Sequence, residues 1–203
     1  MSHRKVSPLK HQTSAEWAPK VLQEPLALLS DQAYLEKKAA NNALEFLNLW
    51  PSAQAPDHWL SSVSAIAGDE TAHLKLALRL LEKRGGRLER SHKNPYAVDL
   101  HRLVRRGRGK QDLADRLLIS ALIEARSCER FERLVESCKD SELSKFYAGL
   151  IKSENGHYRL FVDMAKKVLP AREIEIRWAH LLEEEAKIIQ NQPSGPRIHS
   201  GSA

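Results

Sequence analysis

The chain has 203 residues, 32 Lys and Arg against 26 Asp and Glu, and a formal net charge of +6 at pH 7. A 42% hydrophobic content supports one sizeable core and argues against two domains. No run approaches the ~18–20 apolar residues of a membrane span, and the start MSHRKVSPLKHQTSAEW has no signal-peptide core, so a cytoplasmic protein is expected.

Leu and Ala dominate, and β-branched residues nowhere form alternating runs of strand length, which predicts an all-α fold. Thr13 and Glu16 have capping-box spacing and open a short helix that Pro25 is expected to end. Helical periodicity over 31–50, stopped by Pro51, gives a first bundle helix. A second, with Asp57 as its expected N-cap, spans 57–84 and breaks at Gly85 and Gly86. The stretch 85–110 is a long crossover with a short apolar segment near 96–104 and a basic end, RRGRGK. A third helix covers 111–138, and a tight turn at Lys139–Asp140–Ser141 leads to a fourth over 141–168. An additional C-terminal helix is expected over 172–190, completing a single domain of residues 1–190, with 191–203 as a disordered tail. Two helical hairpins joined by one long crossover is the connectivity of ferritin-like four-helix bundles.

Two motifs carry chemistry. Glu70-Thr71-Ala72-His73 and Glu154-Asn155-Gly156-His157 share E-x-x-H spacing, which puts a carboxylate and an imidazole on one helix face. Both lie on apolar stripes: Val63, Ile66, Ala67 and Leu74 flank Glu70, and Tyr147, Leu150, Ile151 and Phe161 flank Glu154. An ionised group on such a stripe costs several kcal/mol to bury without a compensating partner, so these groups call for a cation. On the first helix Glu36 shares its face with Ala39, Ala40, Ala43 and Leu47, whereas Glu45 lies among Lys38, Asn41, Asn42 and Asn48. On the third, Glu124 lies among Leu117, Ala121, Cys128 and Phe131, whereas Glu129 has Arg126, Glu132 and Arg133 about it. Glu36 and Glu124 are therefore read as inward, and Glu45 and Glu129 as outward.

Hairpin arithmetic agrees. Glu36 precedes Trp50 by 14 residues and Glu70 follows Asp57 by 13; Glu124 precedes Cys138 by 14 and Glu154 follows Ser141 by 13. At about 1.5 Å per residue, each hairpin brings its acids to one height. Four Glu and two His form the donor set of di-iron and di-manganese bundles, with iron preferred and zinc disfavoured for want of cysteine. Cys128 and Cys138, ten residues apart on one helix, cannot pair, and Cys128 reads as a small core residue. Tyr147, Tyr158 and the tryptophans Trp17, Trp50, Trp59 and Trp178 read as packing residues, and His180 with Glu183 and Glu184 as a solvated face.

The segments DQAYLEKKAA (31–40), DETAHLKLALRLLEKRGG (69–86), ALIEARSCERF (121–131) and KSENGHYRLF (152–161) resemble the MiaE-type tRNA hydroxylases, over roughly residues 15–190. That resemblance implies oxygen-dependent hydroxylation of the isopentenyl group of 2-methylthio-N6-isopentenyladenosine beside the tRNA anticodon. It implies two iron ions on Glu36, Glu70, His73, Glu124, Glu154 and His157, dioxygen as co-substrate, and electrons from an external reductase. Two positions depart from the family pattern: Gln32 stands where a His is usual, and Asn155-Gly156 where Ala-Arg is usual. The basic residues Lys83, Arg84, Arg87, Arg90, Lys93, Arg102, Arg105, Arg106, Arg108 and Lys110 crowd the crossover and are expected to grip phosphates of the anticodon stem-loop. Partners expected are tRNA and an electron-donor protein, with the chain a monomer or small homo-oligomer and no membrane association. The competing readings are a ferritin-like oxidase or iron-storage protein and a metal-free helical RNA-binding module.

Overall fold

The computed structural model describes residues 7–201, among which there are seven α-helices, one 3-10 turn and no strand. They are α1 (Trp17–Val21), α2 (Pro25–Glu45), α3 (Trp59–Lys83), α4 (Pro95–His101), α5 (Lys110–Ser137), α6 (Ser141–Val168) and α7 (Ala171–Gln190), with the 3-10 turn Phe46–Asn48 following α2. The hairpins α2/α3 and α5/α6 are the two most extensively packed pairs. They join into an antiparallel bundle, since Lys83 at the end of α3 meets Glu142 at the start of α6, and Lys167 at the far end of α6 reaches the Asp57 carbonyl.

The α2 helix begins six residues earlier than periodicity predicts. Pro25 occupies its first turn rather than ending α1, because a proline there lacks only an N–H that would have had no helical partner. Its buried face alternates Leu28, Leu29, Ala33, Glu36, Ala40 and Ala43, with small alanines permitting close approach of α3. The Trp59 indole donates to the Phe46 carbonyl at 2.8 Å and so satisfies the end of the first helix from the start of the next. The N-cap of α3 is His58 in the left-handed region (φ 62°), not Asp57. At the other end Gly85 (φ 73°) turns the chain, and the Gly85 and Gly86 amides close on the Glu82 and Leu81 carbonyls. Asp140 caps α6 as its turn position suggests, accepting from the Glu142 and Leu143 amides at 3.0 Å each.

Thr13 does not cap α1. Its amide and hydroxyl both donate to the Glu129 carboxylate, at 2.9 and 2.6 Å. Glu129, expected to face outward, is accordingly buried, because Thr13 and Arg126 supply the partners an interior carboxylate requires. Arg126 is fully enclosed and forms a two-pronged pair with the equally enclosed Glu185 of α7 at 2.8 and 2.9 Å, and Tyr96 of α4 donates to the same carboxylate at 2.9 Å. This network fastens α4 and α7 to α5.

Residues 191–203 were expected to be disordered, yet within the described part Ile198, His199 and Ser200 are buried. The Ile198 amide donates to Asp31, Arg130 donates to the Ser200 carbonyl, and the Trp17 indole donates to the Ser200 hydroxyl, all at 2.8–3.0 Å. Arg130 also lies over the Trp17 ring at 4.1 Å. The segment is polar in composition but finds its partners in α1, α2 and α5. Among the described residues no helix is long and apolar enough to cross a membrane. Both cysteines are free, and burial pushes the Cys128 thiol up to about 12, in keeping with a core residue.

Gly156 sits within α6 with open space where a Cβ would stand. The substitution Gly156→Ala should therefore stabilise the protein by about 0.5–1 kcal/mol, read as a rise of a few degrees in Tm.

Candidate metal centre

The six acids and imidazoles singled out from the sequence converge at mid-bundle, one from α2, two from α3, one from α5 and two from α6. Glu36, Glu70, His73 and Glu154 form one group, and Glu70, Glu124, Glu154 and His157 a second; in each, one donor atom per residue lies within 4.8 Å of all the others. Glu70 and Glu154 belong to both groups and so lie between them. All six are buried, Glu70 to 1% exposure.

Orientation identifies the ring nitrogens that face the cluster. The Ser153 hydroxyl donates to the Leu150 carbonyl at 2.9 Å, leaving its oxygen to accept from Nε2–H of His73 at 3.1 Å. Nε2–H of His157 donates to Asp69 at 3.2 Å. Both rings thus turn Nδ1 inward, where a bound cation would take the place of its proton: that of His73 lies 3.5–3.7 Å from Glu154, Glu36 and Glu70, and that of His157 lies 2.7 Å from Glu70 Oε1. Beyond these close contacts within the cluster, Glu70 Oε1, His73 Nδ1 and His157 Nδ1 meet the geometry of no hydrogen bond. Buried, unpartnered and convergent donor atoms of this chemistry fit divalent iron.

The electrostatics point the same way. Burial pushes Glu36 up to about 8 and Glu154 up to about 7, and it raises Glu124 far above the usual carboxylate range. Burial acts on Glu70 in the same direction, but contacts with His157 and His73 override it and bring Glu70 down to about 2. His73, disfavoured as a cation by burial, is nevertheless driven up to about 12 by Glu154, Glu36 and Glu70. Without a cation the pocket must retain shared protons, and a bound cation replaces them.

Asp69 and Ser153 were not read from the sequence. Each immediately precedes the Glu of one E-x-x-H motif and supports the His of the other, so the extended pattern Asp/Ser-Glu-x-x-His is the signal that would have revealed them. Asp69→Asn and Ser153→Ala should each weaken metal affinity about 10- to 100-fold by titration, with little change in the Tm of metal-free protein. Gln32 donates to Glu36 at 2.6 Å, so this departure from the family pattern still supplies a donor to that acid.

A cavity of about 910 Å³ opens from the cluster between α2, α4 and α5. Glu36, Glu70, Glu124 and Glu154 form its floor, Leu35, Ala39, Ile123 and Phe131 its apolar wall, and Lys38, Lys93, Arg102 and Arg106 a rim of net positive charge that also includes Glu45 and Asp99, the latter paired with Arg102 at 2.7 Å. Lys38 is held there by an unforeseen relay: Asp31 fixes His92 Nε2 at 2.7 Å, His92 Nδ1 meets Lys38 Nζ at 2.8 Å, and Tyr34 stacks on the imidazole.

The other basic candidates divide. Lys83 and Arg84 pair with Glu142 and Asp140 at the far end of α3. Arg105 binds Asp115 through its amide and guanidinium at 2.8–2.9 Å, and Arg177 joins the same carboxylate, so Arg105 ties the crossover to α5 and α7. Arg87, Arg90, Arg108 and Lys110 are exposed, outside the cavity lining.

A helical bundle with a buried, oxygen-rich carboxylate and histidine cluster at its centre defines a ferritin-like protein of the oxygenase type. A solved Synechococcus structure, a protein with aldehyde deformylating oxygenase activity, superposes with a TM-score of 0.87 at 30% identity, covering 97% of each chain. The profile of tRNA-(MS[2]IO[6]A)-hydroxylase (MiaE) matches residues 1–200, and the chain belongs to this family. A Pseudomonas putida tRNA 2-(methylsulfanyl)-N(6)-isopentenyladenosine(37) hydroxylase is 35% identical over 93% of this chain and 90% of its own. A Salmonella typhimurium protein of the same name is 39% identical over a shorter stretch, 44% of this chain and 32% of that one.

Proposed function

We propose that the protein is a non-haem di-iron monooxygenase that hydroxylates the isopentenyl group of 2-methylthio-N6-isopentenyladenosine next to the tRNA anticodon. One observation carries the reading: a cavity of about 910 Å³ has four buried glutamates as its floor and a cationic rim at its mouth. Glu36, Glu70, His73, Glu124, Glu154 and His157 would hold two iron ions. Iron bound there would supply the activation of dioxygen that hydroxylating an allylic methyl group requires, with two electrons drawn from an external reductase protein.

The chain's own residues do the rest. Leu35, Ala39, Ile123 and Phe131 enclose the alkyl group and exclude water, which keeps the oxidising site dry and fixes which carbon approaches. Ser153 and Asp69 hold the two imidazoles in one tautomer. Lys38, Lys93, Arg102 and Arg106 offer charge to the phosphates flanking a base swung out of the anticodon loop, a smaller cost than extraction from a duplex. A tRNA substrate implies a cytoplasmic location. An iron-storage bundle has no use for an open cavity with a cationic rim, and a metal-free RNA module none for a buried cluster of glutamates.

Arg102→Ala combined with Arg106→Ala should weaken tRNA binding and flatten its salt dependence by about one to two units of slope. Lys83→Ala, by contrast, should leave both nearly unchanged. Mass spectrometry of tRNA nucleosides from cells with and without the gene tests the function itself. The hydroxylated nucleoside should vanish with the gene, and identical profiles in the two strains would refute the assignment.

A further inference from the structure

The cavity does not end at its rim. A small pocket lined by Asn42, Glu45 and Arg106, all shared with the cavity, continues to Leu49 and Arg116, and these two also line a separate open cleft of about 470 Å³. Trp50 lies in that cleft beside Lys110. Trp17 and Trp59 are each 1% exposed, whereas Trp50 is half-buried, packed against the core and bordering solvent. Its packing role read from the sequence is thus only part of its surface. The one acid of the cleft, Asp112, is already engaged by Arg116 at 2.6 Å and by the Gly107 amide at 2.7 Å. Lys110 is left as the cleft's uncompensated charge.

We infer that this cleft is a second nucleotide subsite, in which the base adjoining the modified adenosine stacks on Trp50 and its phosphate meets Lys110. The inference rests on the RNA reading above. Spacing supports it: Glu36 to Glu45 spans nine residues of α2, about 13 Å, which suits an alkylated purine nucleoside reaching from the cluster to the rim. Trp50 follows two residues after the turn Phe46–Asn48, beyond the Glu45 end of α2. Stacking on an aromatic face is tolerant of base identity, so the subsite would hold the loop in register without demanding a particular neighbour.

The test uses fluorescence anisotropy with RNA hairpins whose loop carries the isopentenylated adenosine, one with both neighbours intact and two with an abasic residue on one side. Trp50→Ala should weaken binding of the intact hairpin about tenfold or more, and Trp50→Phe should retain most of it. For the hairpin lacking the stacked neighbour, wild type and Trp50→Ala should bind alike. Unchanged binding by Trp50→Ala, or an equal loss with all three hairpins, would overturn the subsite while leaving the RNA reading intact. No binding of any hairpin by the wild-type protein would overturn both.

Discussion

Glu124→Ala and His157→Ala should each reduce hydroxylation to background and lower iron content, without unfolding the protein. Glu124 is a carboxyl that burial and the neighbouring Glu154 both disfavour as an anion, so its removal relieves the metal-free pocket. His157 contributes an inward Nδ1 that lies 2.7 Å from Glu70 Oε1, so its loss takes away a donor atom together with the imidazole that offsets the Glu70 charge. The Tm of metal-free Glu124→Ala should therefore equal or exceed that of metal-free wild type, whereas that of His157→Ala should fall, because Glu70 loses the imidazole beside it. The stabilisation that iron adds, about 2.7 kcal/mol at a hundredfold excess over Kd, should disappear. Metal analysis and thermal scans with and without ferrous iron check both halves, and wild-type iron content in both variants would count against the site.

Arg126→Met should be the most damaging change outside the centre. Arg126 and Glu185 are both fully enclosed, and Tyr96 and Glu129 bind into the same network. Removing the guanidinium leaves a buried carboxylate without its cation, at a cost of about 3–5 kcal/mol. In a chain of this size that corresponds to a fall of about 10 °C or more in Tm. Replacing the partner as well, in Arg126→Met with Glu185→Leu, should recover much of the loss, because the double variant buries no unpaired charge. A single-variant loss below about 1 kcal/mol would mean that the network is not desolvated as described.

The helices were legible wherever one apolar face repeated with helical period, and so was the cluster, because a carboxylate on such a face needs a reason to be there. Glu36 was separable from Glu45 on that criterion alone. The same criterion misread Glu129. Its burial depends on Thr13, 116 residues away, and on Arg126, whose own partner Glu185 lies on α7. Local spacing carries no information about such partners. The C-terminal segment was misread for a related cause: its order comes from Asp31, Arg130 and Trp17 rather than from any periodicity of its own. Arg105 looked like one more exposed cation because Asp115 comes into reach only once the crossover folds back on α5. Pro25 was read as a terminator because proline stops a helix from within, whereas the first turn tolerates it.

Metal analysis of the purified protein after anaerobic reconstitution with ferrous iron and removal of loosely bound metal bears most directly on the central claim. Two tightly held iron ions per chain are expected, one for each of the two donor groups that share Glu70 and Glu154. A stoichiometry below one per chain would contradict it.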